Sequence, residues 1–313
     1  MSSLLSAFRC ATLALSLGAV LLAPLRAQPA PPAPDAAAVL SGKSDDLMSR
    51  CMKKAEAGQR SEAEFAGELK ELDALVAQYG NDKSDDAVRL RLTQAMIYQR
   101  VFGRTSKAAA LLEQLKKDQP RSTFANQIDA QLQFLHQQLA AEKTKTALLG
   151  KPAPGMKFIW SNRAGLKSLA ALKGKVVVLD FWATWSKPCV ATFPALRELV
   201  AHYQNTDVVV LGVTSLQGRV DGLPGGGVDC TDNPDNEKRL LGIFARVDEM
   251  TWPVVLTEEP VLNPRFGVTA ILHLAIIAPD GTVRHNGLNP DAPLAEKTAL
   301  IDAILKEFKL RVP

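Results

Sequence analysis

The side chains best placed to do chemistry fall in one stretch, Asp180-Phe181-Trp182-Ala183-Thr184-Trp185-Ser186-Lys187-Pro188-Cys189. Before it, Val176-Val177-Val178-Leu179 forms a short, mostly β-branched apolar run, the pattern of a parallel strand covered on both faces. After it, Pro188 stands in the first turn of a helix expected over Pro188–Tyr203, where a missing N–H costs nothing. Cys189 is therefore read as a thiol one turn into a helix, behind a strand that ends on a carboxylate. Ser186 is read as the helix cap. A second thiol, Cys230, lies in the glycine-rich insertion Leu216–Asn233, which leaves the end of an expected strand over Val208–Thr214. Loops at the carboxyl ends of parallel strands gather on one face, so Cys230 is a candidate redox partner for Cys189. The commoner fate of each is an inert core thiol and an incidental loop thiol.

Other chemistries find little support. Gly225-Gly226-Gly227 has no Gly-Lys-Ser/Thr after it, so it is no phosphate loop. His136, His202, His273 and His285 show no metal-ligand spacing, and no metal or cofactor is expected. Ser186 lacks the Gly-x-Ser-x-Gly surroundings of a hydrolase nucleophile.

Trp185-Ser186-Lys187-Pro188-Cys189 resembles the Trp-Cys-x-Pro-Cys turn of the thioredoxin superfamily, and the whole run is similar to its TlpA-type, redoxin-like extracytoplasmic members. Phe193-Pro194, Trp252-Pro253-Val254-Val255-Leu256 and Phe266-Gly267-Val268 through Pro279-Asp280-Gly281 extend the likeness over roughly Leu149 to Pro313. It implies a thioredoxin-like α/β fold, thiol-disulfide exchange on protein thiols or disulfides, and a substrate groove of Trp185, Lys187, Pro188, Ile271 and Leu272. Asp180 matches the buried acid and Cys189 the resolving thiol. Ser186 occupies the position of the nucleophilic cysteine. A hydroxyl does not ionise there and cannot form a mixed disulfide, so two-cysteine exchange by this turn is not available. Where the family has a cis-proline, the aligned residues are Ala270-Ile271-Leu272, and a trans, reshaped loop is expected. The two departures together point to a non-catalytic or impaired relative that binds or scaffolds proteins. The alternative is an oxidoreductase or antioxidant enzyme using Cys189, alone or with Cys230.

The wider chain must position this site. At 313 residues, with 47% hydrophobic and 22% charged content, it is an ordinary globular chain long enough for two domains. The net charge of +4, with no basic cluster interleaved with aromatics, argues against nucleic-acid binding. Met1–Ala27 reads as a secretory signal: Arg9, an apolar core over Ala11–Ala23, and small residues for cleavage. That implies export to the periplasm or cell envelope, with no stable membrane span after cleavage; an uncleaved anchor is the alternative. The exported chain keeps Cys51, Cys189 and Cys230, an odd number.

Residues 28–40 read as a proline-rich linker, around QPAPPAP. Residues 41–148 read as an all-helical domain of about five helices, broken near Gly58, Gly80, Gly103 and Pro120. Its faces are Leu69, Leu72, Leu75 and Val76, and then Leu90, Ala95, Ile97, Tyr98 and Val101. Ala87–Leu135 is similar to a degenerate tetratricopeptide hairpin. A helical bundle packed on the second domain is the simpler expectation, and a docking surface for a partner protein the sharper one. Residues 149–313 form the thioredoxin-like domain, whose alternating strands and helices predict a sheet with helices on both faces.

Overall fold

The computed structural model describes residues 36–313, so the expected signal sequence and the QPAPPAP stretch lie outside the described residues. The chain opens with five helices: α1 (Ala36–Glu56), α2 (Ala66–Tyr79), α3 (Asp85–Arg100), α4 (Thr105–Asp118) and α5 (Ala125–Leu148). α1 begins within the stretch expected to be linker, because Ala36-Ala37-Ala38-Val39-Leu40 follows the last proline and consists mostly of strong helix formers. α3 is capped by Ser84, whose Oγ accepts from the Ala87 N–H, and carries Asp85 and Asp86 at its positive end.

α3 is the shared wall of this region. Leu90, Ile97 and Val101 pack with Leu47, Cys51, Phe65 and Leu72 from α1 and the α2 segment. Val88, Leu92, Ala95 and Tyr98 pack with Leu112, Leu115, Ile128 and Leu135 from α4 and α5. The single apolar face expected over Leu90–Val101 is thus two. An interior helix is buried on opposite sides, and a window centred on one side merges them.

From Phe158 the elements alternate: β1 (Phe158–Ser161), a 3₁₀ turn (Leu169–Leu172), β2 (Val176–Phe181), α6 (Lys187–Ala191), α7 (Phe193–His202) and β3 (Val208–Ser215). There follow β4 (Arg219–Val220), β5 (Val228–Asp229), α8 (Pro234–Val247), β6 (Val254–Thr257), β7 (His273–Ile277), β8 (Val283–Leu288) and α9 (Leu294–Glu307). Six strands form one sheet in the order β1-β6-β3-β2-β7-β8. β2 lies parallel to β3, with Asp180 beside Gly212, and antiparallel to β7, with Asp180 opposite Leu274. The expected helix over Pro188–Tyr203 is two helices, because Pro194 supplies no N–H and its ring obstructs the preceding turn.

The expectation of helices on both faces is corrected. Residues of α7, α8 and α9 share one core with Val176, Val178, Val210, Val254 and Ile276. The opposite face, Val177, Leu179, Leu211, Val213 and Val255, is covered by Leu172, Val261, Phe266 and Val268, with Leu148 at its margin. The path β2→β3→β6 crosses the sheet in one direction, and successive right-handed crossovers that do not reverse place their helices on the same side.

α5 joins the two regions. A Cβ on Gly267 would lie 2.5 Å from the Ala141 carbonyl oxygen and 2.9 Å from Lys145 Cγ, so α5 and the backbone at Gly267 are in direct contact. Gly267 also has φ 68°, which favours glycine for a second reason. Beyond Leu148 the chain is pinned at once, with Gly150 N–H donating to Val283 O at 2.8 Å and Ala153 N–H to Gly281 O at 2.9 Å.

Gly212 tests the packing of the helix-covered face. A Cβ there would meet Trp182 Nε1 at 2.9 Å and Trp252 Nε1 at 3.1 Å, two fully enclosed indoles. Gly212→Ala is expected to lower stability by about 1–3 kcal/mol through overpacking. Urea denaturation checks this, and an unchanged midpoint would show that the indoles shift freely.

Candidate functional site

β2 is buried along its whole length and carries one polar residue, Asp180. The alternation that sends Val176 and Val178 to the helix-covered core sends Asp180 there too, over the bare Cα of Gly212. Its Oδ2 is buried with no hydrogen-bond partner in the protein. Removal from water raises its pKa from 3.8 to about 7.

Trp182 continues the strand path, its N–H donating to Val213 O at 3.1 Å, and the chain then turns through Ser186 N–H to Ala183 O at 3.0 Å. Trp182 stacks on Phe244 with ring centres 5.4 Å apart and meets Phe193 edge-on at 5.4 Å, which anchors the turn in the core. Ser186 is the N-cap of α6, as its sequence context suggested: its Oγ accepts from the Cys189 N–H at 3.4 Å. The same hydroxyl donates to Cys189 Sγ at 2.9 Å.

Both groups are buried, Ser186 at 4% exposure and Cys189 at 2%. Burial pushes the Cys189 thiol above its usual range; the Ser186 hydrogen bond opposes this and the nearby Asp180 carboxylate adds to it. A thiol in this setting is a weak nucleophile at neutral pH. Lys187 and Pro188 are exposed, as is Trp185, whose ring lies on the surface beside the turn.

The insertion is a folded hairpin, not a loose loop. β4 pairs antiparallel with β5, Val220 is buried in the main core, and Gly222 packs on Phe244. Two residues that sequence reasoning missed attach it. Gln217 Oε1 accepts from Trp185 Nε1 at 3.0 Å, while its Nε2 donates to Ser215 Oγ at 2.7 Å. The buried Glu237 carboxylate accepts from the Gln217 and Gly218 N–H groups at 2.6 and 3.0 Å. Asp221 N–H donates to Thr184 Oγ1 at 3.1 Å. A glutamate in a first helical turn is too common a signal to have found this pairing.

Cys230 is buried in the same core as Cys189, and no disulfide joins the candidate pair. Both are free thiols, as is Cys51. Cys230 Sγ faces Val228 O at 3.7 Å and Asn236 Nδ2 at 3.8 Å, held there by its own N–H to Gly218 O at 2.7 Å. The hairpin fixes this thiol toward its own turn.

The loop before β7 corrects another expectation: the Ile271–Leu272 peptide is cis. The loop is flanked by a turn closed by Val268 N–H to Asn263 O at 2.9 Å and by His273 paired with Phe181. Ile271 and Leu272 are half-buried at the same end of the sheet as Trp185. Among the described residues no cluster of His, Cys, Asp or Glu could hold a metal ion.

Asp180 gives the site a measurable signature. Its folded pKa lies above its unfolded value, so the folded state holds the extra proton between pH 4 and 7. Its contribution therefore makes stability fall as pH rises through that window. Asp180→Asn is expected to remove that component of the slope in denaturation midpoints measured from pH 4 to 8; an unaltered slope would place the titration elsewhere.

Residues 149–286 match the AhpC/TSA family. The thiol-disulfide oxidoreductase ResA of Geobacillus thermodenitrificans is 29% identical over 144 residues, 46% of this chain and 70% of that protein. ResA of Bacillus thuringiensis subsp. konkukian is 38% identical over 136 residues, 43% of this chain and 66% of that one. Among solved structures, the thioredoxin domain of a thiol-disulfide oxidoreductase from Bacteroides vulgatus aligns with a TM-score of 0.37 at 19% identity, covering 51% of this chain and 96% of that domain. With the Asp180 strand, the Ser186–Cys189 turn and the β7–β8 hairpin in their places, the chain is a redoxin-like member of the thioredoxin superfamily, related to the thiol-disulfide oxidoreductases through its C-terminal half.

Proposed function

We propose that this chain is an exported, TlpA-type member of its superfamily that binds a protein partner at the Trp185–Leu272 face without dithiol exchange. The observation that carries this is the inward-facing Ser186 hydroxyl, which stands in the nucleophile position and is committed to Cys189. Exchange needs an accessible thiolate to open a disulfide and a second thiol to release the product. Here the first is an alcohol and the second is a buried thiol whose pKa burial raises. What remains is a face with exposed Trp185, Lys187 and Pro188 beside half-buried Ile271 and Leu272. Export is proposed from Met1–Ala27; among the described residues no helix is long and apolar enough to cross a membrane.

Insulin reduction with dithiothreitol tests the reading. The natural chain is expected to give no turnover above the uncatalysed rate. Ser186→Cys is expected to restore turnover by at least tenfold, since the cap position, the helix and Cys189 are already in place. Turnover by the natural chain that Cys189→Ala abolishes would overturn the proposal and return the protein to the enzymes.

A further inference from the structure

Resting on that reading, we infer that the helical region supplies one wall of the partner site, through Phe134 of α5. Phe134, Ala141, Lys145 and Leu148 recur at spacings of seven, four and three, so they share one stripe of the helix. The lower part of the stripe is committed to the sheet domain. Ala141 and Lys145 contact Gly267, Lys145 also reaches Gly287, and Leu148 packs at the margin of the second core. α5 therefore climbs alongside β8 and passes the end of the sheet at Gly267, the start of the loop that leads to Leu272.

Seven residues farther along, about 10 Å at 1.5 Å per residue, the same stripe presents Phe134. It has left the sheet behind and is 47% exposed. The loops at that end of the sheet each show an apolar side chain as well: Trp185 at 48%, Leu216 at 37% and Leu262 at 41%. These follow β2, β3 and β6, and the half-buried Ile271 and Leu272 precede β7. Scattered exposed apolar residues mean little, but convergence of several on one end of a fold marks an interaction face.

The occupant is an extended protein segment with apolar side chains and an acidic residue. The residues span separate loops and a helix, which suits a chain laid across them better than a small ligand. Lys187, two residues after Trp185, is an exposed cation on this face, and among the described residues no salt bridge neutralises it. Its charge selects an acidic neighbour in the bound segment.

The test uses the full chain without its signal and a fluorescein-labelled, reduced and carboxymethylated α-lactalbumin, an acidic and permanently unfolded probe, read by anisotropy. Phe134→Ala and Trp185→Ala are each expected to weaken binding about tenfold, as aromatic anchors do. Lys187→Ala is expected to weaken it and flatten its salt dependence, and Val247→Ala, an exposed apolar change on α8, is expected to leave it unchanged. If Trp185→Ala weakens binding and Phe134→Ala does not, the inference fails and the proposed function stands. If neither does, or the natural chain ignores the probe, both fail. Self-association seen in sedimentation velocity and lost in Phe134→Ala would put a second copy on this face and overturn the inference.

Discussion

The site depends on one strand being buried on both sides. β2 sits fourth from one edge of the six-stranded sheet and third from the other, between β3 and β7, and it spends five of its six positions on apolar packing. The sixth is Asp180. A carboxyl so enclosed is held near neutrality, and the same enclosure fixes the turn that follows, because Trp182 enters the core directly after it. Position and protonation therefore share one cause: Ser186 and Cys189 stand where they do because the strand beneath them cannot shift register without exposing valines or burying the turn.

Much of this was legible in the sequence. The apolar run Val176–Leu179, Pro188 at a helix start and Ser186 as its cap are local signals, and local signals survive folding. What escaped was tertiary. Pro194 splits a helix whose periodicity runs straight through it. The sidedness of α7 and α8 follows from strand order, which no window of sequence contains. Gln217 and Glu237 meet only because the insertion folds back on α8, and their types are unremarkable on a surface.

The two buried thiols of the sheet domain share a core without sharing a bond. Proximity in the topology brought Cys189 and Cys230 into one core, as loops at one end of a parallel sheet must be. Side-chain direction then separated their roles, since each sulfur is aimed by its own backbone turn. The path before β7 shows the converse: Leu272 lacks the proline's own preference, yet the Ile271–Leu272 peptide is cis. Residue type alone informs least where the chain is anchored on both sides.

The junction at Gly150 bears on how such a molecule moves. Many two-part chains turn about a slack connector, and their halves reorient as the default. Here the last helix of one half touches the other directly, seated against a glycine that admits no side chain, and the residues after it are tied to the β8 hairpin. α5 is held against the sheet domain at Gly267. A force on the helical half must bend a helix or lift that contact, and it is delivered to the backbone leading into Leu272, at the mouth of the site.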